Sequence, residues 1–289
     1  MVSLITVNYN DSLTTEKFVE RMVRFEEISH IIVVDNDSTD GSFDRLRQFS
    51  RKYKKVDVIQ SGKNGGYGYG NNYGIRYAVK NYHPDAVLIS NPDVQVDPDA
   101  VRKMKAVLDT NAEVSVVAPM MMDCQGRYCQ WSVWRLPKSG WGFLLMDAPL
   151  FRYLLKKRYY YKIEDLLLQS EIEVDVVSGA LLMVRTADFV RAGYYDEELF
   201  LYCEESVMAM KLKEICKCSR LLTDISYLHY PSTTIRKSYQ TFLKKMRLLL
   251  KSKKTVLKKY YGFQGIHLIF FYMISAFCYV YAWIRGLFA

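Results

Sequence analysis

The sequence predicts an α/β fold on a mixed, mostly parallel sheet, and three observations predict it. Short apolar runs alternate with single amphipathic segments through the first 118 residues, the pattern of repeated βαβ units. Several of these runs end abruptly in polar turns that carry a carboxylate, and ligands of open α/β sheets sit at the carboxyl ends of the strands. With 289 residues, 50% hydrophobic and 14% aromatic, the chain can bury a sizeable core and is not a disordered one.

Residues 2–7 read as the first strand. Residues 15–28 then place Phe18, Met22 and Phe25 on one helical face, and residues 31–34 form a second strand. A helix over 43–53, a strand over 56–59 and a helix from near Gly68 to near Tyr82 continue the alternation, with right-handed crossovers expected. The central strand, 86–89, runs into Ser90-Asn91-Pro92-Asp93. Pro92 cannot donate to a sheet ladder, so the strand stops and leaves Asp93 at its carboxyl end.

Asp97-Pro98 is a good N-cap and first-turn pair for a helix through Leu108, and a strand over 114–118 closes the first half. Residues 119–173 lose the rhythm and gain Trp131, Trp134, Trp141 and the run Tyr159, Tyr160, Tyr161. A long irregular aromatic segment inside a domain is usually functional or a lid. Beta character returns over 174–184, then a short helix over 186–192, a helix over 204–216 and a strand over 221–228.

The formal charge of +9 belongs to the tail. Beyond Asp224 there is no acidic residue but 11 of the 40 Lys and Arg, leaving 29 basic against 31 acidic residues before it, so no nucleic-acid partner is expected. The six cysteines form no CxxC pair and lack histidines at zinc-finger spacing, and read as reduced thiols of a cytosolic compartment. Met1 leads straight into a strand, without the pattern of a signal peptide.

Three turns carry chemistry. Asp35-Asn36-Asp37-Ser38-Thr39-Asp40-Gly41 puts carboxylates where a nucleobase edge and ribose hydroxyls could be held, although Asp37, Ser38 or Asp40 could equally cap a helix. Between Gly62 and Gly74 the glycines let backbone approach a ligand, and a helix starting there points N–H groups at a phosphate. Asn71 occupies the place of the third glycine of a dinucleotide fingerprint, and no Gly-Lys-Ser/Thr follows, so neither a nicotinamide site nor a P-loop is indicated. Asp93, on a rigid turn, can hold a hard divalent cation against a diphosphate.

In order, Ile5-Thr6-Val7-Asn8-Tyr9-Asn10, the Asp35 to Gly41 turn, Asn64-Gly65 through Gly74, Asn91-Pro92-Asp93, Val176-Val177-Ser178-Gly179-Ala180, Gly193 through Tyr202 and Glu204-Glu205 resemble the family 2 glycosyltransferases of the GT-A fold. The likeness is closest to the bacterial rhamnosyltransferase-like branch, which has Asn-Pro-Asp in place of Asp-x-Asp, and it covers roughly residues 1–232. It implies a GT-A nucleotide-diphospho-sugar transferase fold. Residues 1–118 would be a nucleotide-binding half, 119–232 an acceptor-binding half and 233–289 an appendage for membrane association or oligomerisation.

The implied reaction moves rhamnose or another hexose from a UDP- or dTDP-sugar to a glycan acceptor, lipid-linked, by direct displacement with inversion, in cell-surface polysaccharide synthesis. Thr6, Asn8, Asp35, Asp37, Lys63, Asn64, Gly65, Asn72 and Asn91 would bind the nucleotide. Asp93 would ligate Mg²⁺ or Mn²⁺, with His229 as a second metal or phosphate contact. Trp131 and Trp134 suit an acceptor sugar, since flat rings stack on pyranose C–H faces, but would serve equally as core; Ser178 and Gly179 complete the acceptor set.

Glu205 would be the general base, beside Glu204. The family usually has Glu-Asp here and often a further Asp where Ser206-Val207 stand. Glutamate has the same chemistry with one more methylene, so it can take the acceptor proton if the helix retreats by about an ångström. First-turn acids also favour the helix dipole. Glu205 separates transfer from a silent nucleotide-sugar-binding scaffold of a glycan assembly complex; a nucleotidyltransferase, the other rival, would need a basic loop near the amino terminus.

In the tail, Tyr239, Phe242, Leu243, Met246, Leu249 and Leu250 share one helical face, with Lys244, Lys245, Arg247, Lys251, Lys253 and Lys254 opposite. Ten basic residues from Arg236 to Lys259 without an acid point to an anionic membrane surface. Residues 264–284 carry no formal charge and as a helix would reach ~31 Å, against a hydrocarbon core of ~30 Å. Tyr260, Tyr261 and Trp283 fall at interfacial positions, and Lys258 and Lys259 place the flank at the cytoplasmic face of the cell membrane. The same segment could instead lie on the membrane or form a homodimer contact.

Overall fold

The computed structural model describes residues 1–230 and 242–287. The boundary expected at Ser232, and Arg236 and Tyr239 of the tail, lie outside the described residues.

Strands β1 (Val2–Asn8), β2 (Ile28–Asp35), β3 (Val56–Gln60) and β4 (Ala86–Ser90) run parallel in the order β3-β2-β1-β4, linked through helices α1 (Ser12–Met22), α2 (Ser42–Ser50) and α3 (Tyr67–Tyr82). After a two-residue β5 (Val94–Gln95) come α4 (Pro98–Thr110) and β6 (Val114–Met122). The second half adds β7 (Val133–Trp134), β8 (Glu171–Val174), β9 (Val176–Val177), β10 (Leu181–Arg185) and β11 (Cys218–His229). β10 inserts antiparallel between β4 and β6; β11 lies parallel to β6 and antiparallel to β5 and β8. Among the described residues the result is a nine-stranded sheet, mixed and mostly parallel, with β7 and β9 paired apart from it.

This topology gathers the site. The β1–β2 register sets Asn8 against Asp35, β10 brings Ala180 to Asn91, and the β11–β5 pairing sets His229 against Val94, next to Asp93. One face of the sheet is covered by α1, α2 and α4 through Phe18, Leu46 and Met104. The other is covered by α3, α8 (Thr186–Arg191) and α9 (Glu204–Glu214) through Ile75, Phe189 and Met208.

Two elements differ from expectation. α1 stops at Met22, and Ile28 already begins β2; Phe25 joins the core from the intervening turn, so its helix-like spacing from Met22 mimics continuation. The irregular middle contains three short helices, α5 (Gly140–Leu145), α6 (Pro149–Tyr159) and α7 (Ile163–Leu166).

The chain ends in two helices, α10 (Phe242–Tyr260) and α11 (Ile266–Leu287), and they share a core with the domain. Met246, Leu250, Val256 and Leu257 of α10 pack with Phe143, Leu144, Leu199 and Val207. Lys253 is a correction: expected on the solvated face, it is 1% exposed, pairs with Asp147 at 2.8 Å and donates to the Phe143 carbonyl at 2.6 Å. Tyr260 and Tyr261 also turn inward, donating to the Asp196 carboxylate and the Pro137 carbonyl, and Lys259 pairs with Asp196 and Glu198.

Lys253 is the buried member of the pair and Asp147 is about a third exposed, so it is loss of Asp147 that would leave a buried charge without its partner, a cost of up to about 3–5 kcal/mol. Asp147→Asn should therefore lower the thermal midpoint, and Lys253→Met/Asp147→Asn should recover part of it. A calorimetric midpoint for the single variant equal to wild type would contradict the pairing.

Along α11 the stripe Phe271, Ser275, Cys278 and Ala282 is buried, while Ile266, Ile269, Met273, Phe277, Val280 and Trp283 are exposed. Among the described residues it is the one helix long and apolar enough to cross a membrane.

Candidate active site

At the end of β1 and β2 the polar side chains satisfy one another. Asn8 donates to the Asp35 carboxylate at 2.8 Å, and Ser38 donates to it from its backbone N–H at 2.9 Å and its hydroxyl at 2.7 Å. Both Asn8 and Asp35 are buried, so they shape the loop from beneath. Asp37 stands exposed at φ +63°, the left-handed region that Asp tolerates better than most residues. Thr6 is fully buried, and its hydroxyl has no hydrogen-bond partner within the protein.

In the glycine-rich loop the first backbone N–H groups find partners within the protein. The backbone N–H of Gly65 donates to the Lys63 carbonyl, that of Gly66 to Asn64 Oδ1 and that of Tyr67 to the Phe200 carbonyl. Gly66 has φ +91°, and a Cβ there would lie 1.9 Å from the Phe200 oxygen. The close approach that needs glycine at position 66 is thus to the 193–203 loop, at the start of α3. Asn72 is likewise a clamp: fully buried, it donates to the Tyr195 carbonyl and Glu197 and accepts from the Tyr195 N–H. Lys63 remains exposed over the Tyr69 ring, and Asn64 accepts from Asn36.

Asp93 is buried at the sheet edge, and its Oδ1 lies 3.3 Å from His229 Nε2 without hydrogen-bond geometry. A buried carboxylate oxygen with no donor beside an imidazole nitrogen fits a divalent ion as a missing partner. Among the described residues no group of three or more His, Cys, Asp and Glu could hold a metal, so these two would need ligand oxygens to complete a shell.

The start of α9 holds the other acids. Tyr202 and Cys203, immediately before it, have φ +75° and +74°, two consecutive left-handed residues that turn the chain sharply into the helix. Glu205 Oε1 accepts from the Gly179 N–H at 3.0 Å, while the Tyr67 hydroxyl donates to the Gly179 carbonyl at 2.6 Å. A Cβ on Gly179 would stand 2.7 Å from Glu205 Oε1 and 2.8 Å from the Tyr67 hydroxyl, so a side chain there would have to push the carboxylate aside. Trp134 donates to Ser206 at 3.2 Å, using the hydroxyl that stands where an acid is common.

Burial pushes the Glu205 carboxyl above the ordinary range, against the opposing pull of its own and the Gly179 N–H groups. Glu204 is pushed well above it, by burial first and then by the Glu205 charge. Glu204 Oε1 is buried without a hydrogen-bond partner, whereas Glu205 has the Gly179 N–H, so burial weighs more heavily on Glu204.

Glu204, Glu205, Asn91, Ser178, Gly179 and His229 all line one cavity of about 620 Å³, which Trp131 and Trp134 share. The structure thereby brings the expected base, acceptor residues and His229 together. Thr6, Asn8 and Asn72 are set away beneath the surface. Sequence reasoning missed Tyr67 and the Gly66–Phe200 contact, which have no local signal because their partners lie more than a hundred residues away.

Known proteins similar to the chain include a hexosyltransferase, a rhamnosyltransferase and a mannosyltransferase. It is 26% identical over 246 residues to the low-salt glycan biosynthesis hexosyltransferase Agl10 of Haloferax volcanii, covering 84% of this chain and 72% of that one. It is 25% identical over 240 residues to the N-acetylglucosaminyl-diphospho-decaprenol L-rhamnosyltransferase of Mycobacterium tuberculosis, covering 80% and 76%. The structure of the mannosyltransferase PcManGT from Pyrobaculum calidifontis, in complex with GDP-Man and Mn²⁺, superposes with a TM-score of 0.59 at 14% identity, over 96% of this chain and 69% of that one, and shares the GT-A fold. The family model of glycosyl transferase family 2 matches residues 3–187, most of the sheet together with the loops that carry Asp35, Asp93 and Gly179, and the chain belongs to that family.

Proposed function

We propose that this glycosyltransferase moves rhamnose or another hexose from a UDP- or dTDP-sugar onto a lipid-linked glycan at the cytoplasmic face of a membrane, with inversion. The observation that carries the reading is Glu205: a carboxylate hydrogen-bonded to the Gly179 loop and facing a cavity large enough for an acceptor sugar. The relative from Mycobacterium tuberculosis is named for a diphospho-decaprenol-linked acceptor, which supports the lipid-linked assignment.

In the transfer, Glu205 takes the proton of the acceptor hydroxyl as that oxygen bonds to the anomeric carbon. The bond from that carbon to the diphosphate oxygen breaks on the opposite face, and its electron pair leaves with the nucleoside diphosphate. Asp93 and His229 would hold Mg²⁺ or Mn²⁺, which supplies charge neutralisation at the leaving diphosphate. The exposed Asp37 would meet the nucleoside, on a loop that the Asn8–Asp35–Ser38 hydrogen bonds hold together. Trp131, with one face on Arg152, offers a ring edge to the acceptor.

The exposed apolar face of α11 supports membrane attachment. Because its opposite stripe packs against the domain, α11 lies along the membrane interface in this reading, with the cations of α10 toward anionic lipid. The test is release of nucleoside diphosphate by the full chain from a panel of UDP- and dTDP-sugars. One donor should be cleaved faster than the others, with Mn²⁺ or Mg²⁺ stimulating and chelator suppressing release; no cleavage of any donor, with or without acceptor lipid extract, would refute the assignment.

A further inference from the structure

The cavity that holds Glu205 is also walled by the two C-terminal helices, through Phe242, Lys245 and Met246 of α10 and Tyr281 and Arg285 of α11. Three cations face it from three different helices: Arg152 of α6, Lys245 of α10 and Arg285 of α11. None has a carboxylate partner among the described residues. The cavity's acid on that side, Asp147, is instead occupied by Lys253 at 2.8 Å.

Aromatic rings, not acids, steady two of the cations. The Arg152 guanidinium lies 3.7 Å from the Trp131 ring centroid, and that of Arg285 lies 5.1 Å from Phe242. Such stacking fixes a guanidinium without neutralising it, so its N–H groups keep their capacity for an anion. Three uncompensated cations around one cavity favour a doubly or triply charged ligand, and a phosphate or diphosphate matches arginine forks best.

Apolar surface adjoins them. Tyr281 both lines the cavity and lies on the exposed apolar side of α11, beside Phe277, Val280 and Ile284. A ligand with a charged head at the cations would have an apolar path for a tail along α11, and a sugar on that head would share the cavity with Glu205.

We propose that Arg152, Lys245 and Arg285 form a subsite for the phosphate or diphosphate of a prenyl-type lipid acceptor, with Tyr281 and the outer face of α11 guiding the chain. The subsite rests on the reading of the acceptor as lipid-linked, and names which residues recognise it. It also explains why α10 and α11 are built into the wall of the cavity, a placement that an anchor alone would not need.

The test is equilibrium binding to the full-length protein in detergent with chelator present and no donor, which keeps the nucleotide site out of the readout. The probes are farnesyl diphosphate, farnesol and inorganic diphosphate. Farnesyl diphosphate should bind at least about tenfold tighter than either fragment, and Lys245→Ala, Arg285→Ala and Arg152→Gln should each weaken it by about tenfold, the worth of a charge-assisted hydrogen bond. Farnesol binding and UDP binding should not respond to these variants.

If farnesyl diphosphate binds with equal strength to wild type and the Lys245→Ala/Arg285→Ala double variant, the subsite is refuted. Equal binding of inorganic diphosphate and farnesyl diphosphate would also overturn it, identifying a site for free phosphate. Donor cleavage without prenyl diphosphate binding would leave glycosyl transfer standing and remove the subsite; tight, cation-dependent binding without cleavage of any donor would keep the subsite and remove the proposed reaction.

Discussion

Glu205→Gln should lower sugar-transfer turnover by about 10²–10⁴-fold while donor affinity stays near the wild-type value. Glutamine keeps the size of the side chain but cannot take a proton from the acceptor. It can also still present an oxygen to the Gly179 N–H, so the loop should hold its place. Glu205→Asp separates two readings of the glutamate: if the Gly179 contact and the left-handed turn at Tyr202 and Cys203 have adapted to the longer side chain, aspartate falls short and activity drops. Higher activity for aspartate would mean that the site has not adapted. Wild-type turnover in Glu205→Gln would move the base to another acid, with Asp196, Glu197 and Glu198 next in line.

The pH profile follows from the same burial. Glu205 must be ionised to act, and its carboxyl is raised, so the acidic limb of kcat/KM should lie above the range of an ordinary glutamate near 4.5. For stability the sign is opposite to that of a salt-bridged acid. A carboxyl raised in the folded state contributes stability fully present below its unfolded value and lost as pH rises through the folded one. Glu204 is the more strongly raised and its Oε1 is unpartnered, so Glu204→Gln should gain thermal stability relative to wild type as pH rises from about 5 toward 8. Its turnover should fall less than that of Glu205→Gln.

Much of this architecture is legible in the chain itself, for a specific reason. β1, β2, β4 and the turns that follow them announce themselves because an apolar run ending in Asn8, in Asp35 or in Asn91-Pro92-Asp93 signals both a buried strand and its exit. The pair Glu204-Glu205 at a helix start is visible on the same grounds. Roles decided by tertiary partners are not legible. Asn72 looks like one more polar residue of a glycine-rich loop, and only the loop at Tyr195 makes it a clamp. Lys253 lies on the charged side of a helical wheel, yet Asp147 and the end of α5 wait for it there. The glycines between 65 and 74 signal close approach without saying to what, and Gly66 meets the Phe200 carbonyl.

Asp93→Ala should remove the metal-dependent part of donor binding and reduce transfer by about 10²-fold or more, the scale on which single electrostatic stabilisers of a leaving group act. The buried Asp93 Oδ1 has no hydrogen-bond donor, and His229 Nε2 stands 3.3 Å away without the geometry of one. A fold does not leave a carboxylate oxygen in that state for its own stability, since an unsatisfied buried polar group costs about 1–3 kcal/mol. Two measurements should therefore move in opposite directions. The affinity for UDP or dTDP, titrated with and without Mn²⁺, should lose its metal enhancement, while the thermal midpoint of the ligand-free protein should be no lower than that of wild type. His229→Ala should weaken the enhancement less, because diphosphate oxygens and water can take the place of one neutral ligand. A variant that loses both metal enhancement and several degrees of thermal midpoint would mark Asp93 as part of the framework of the sheet edge, and one that binds and transfers as wild type does would require the cation to sit elsewhere.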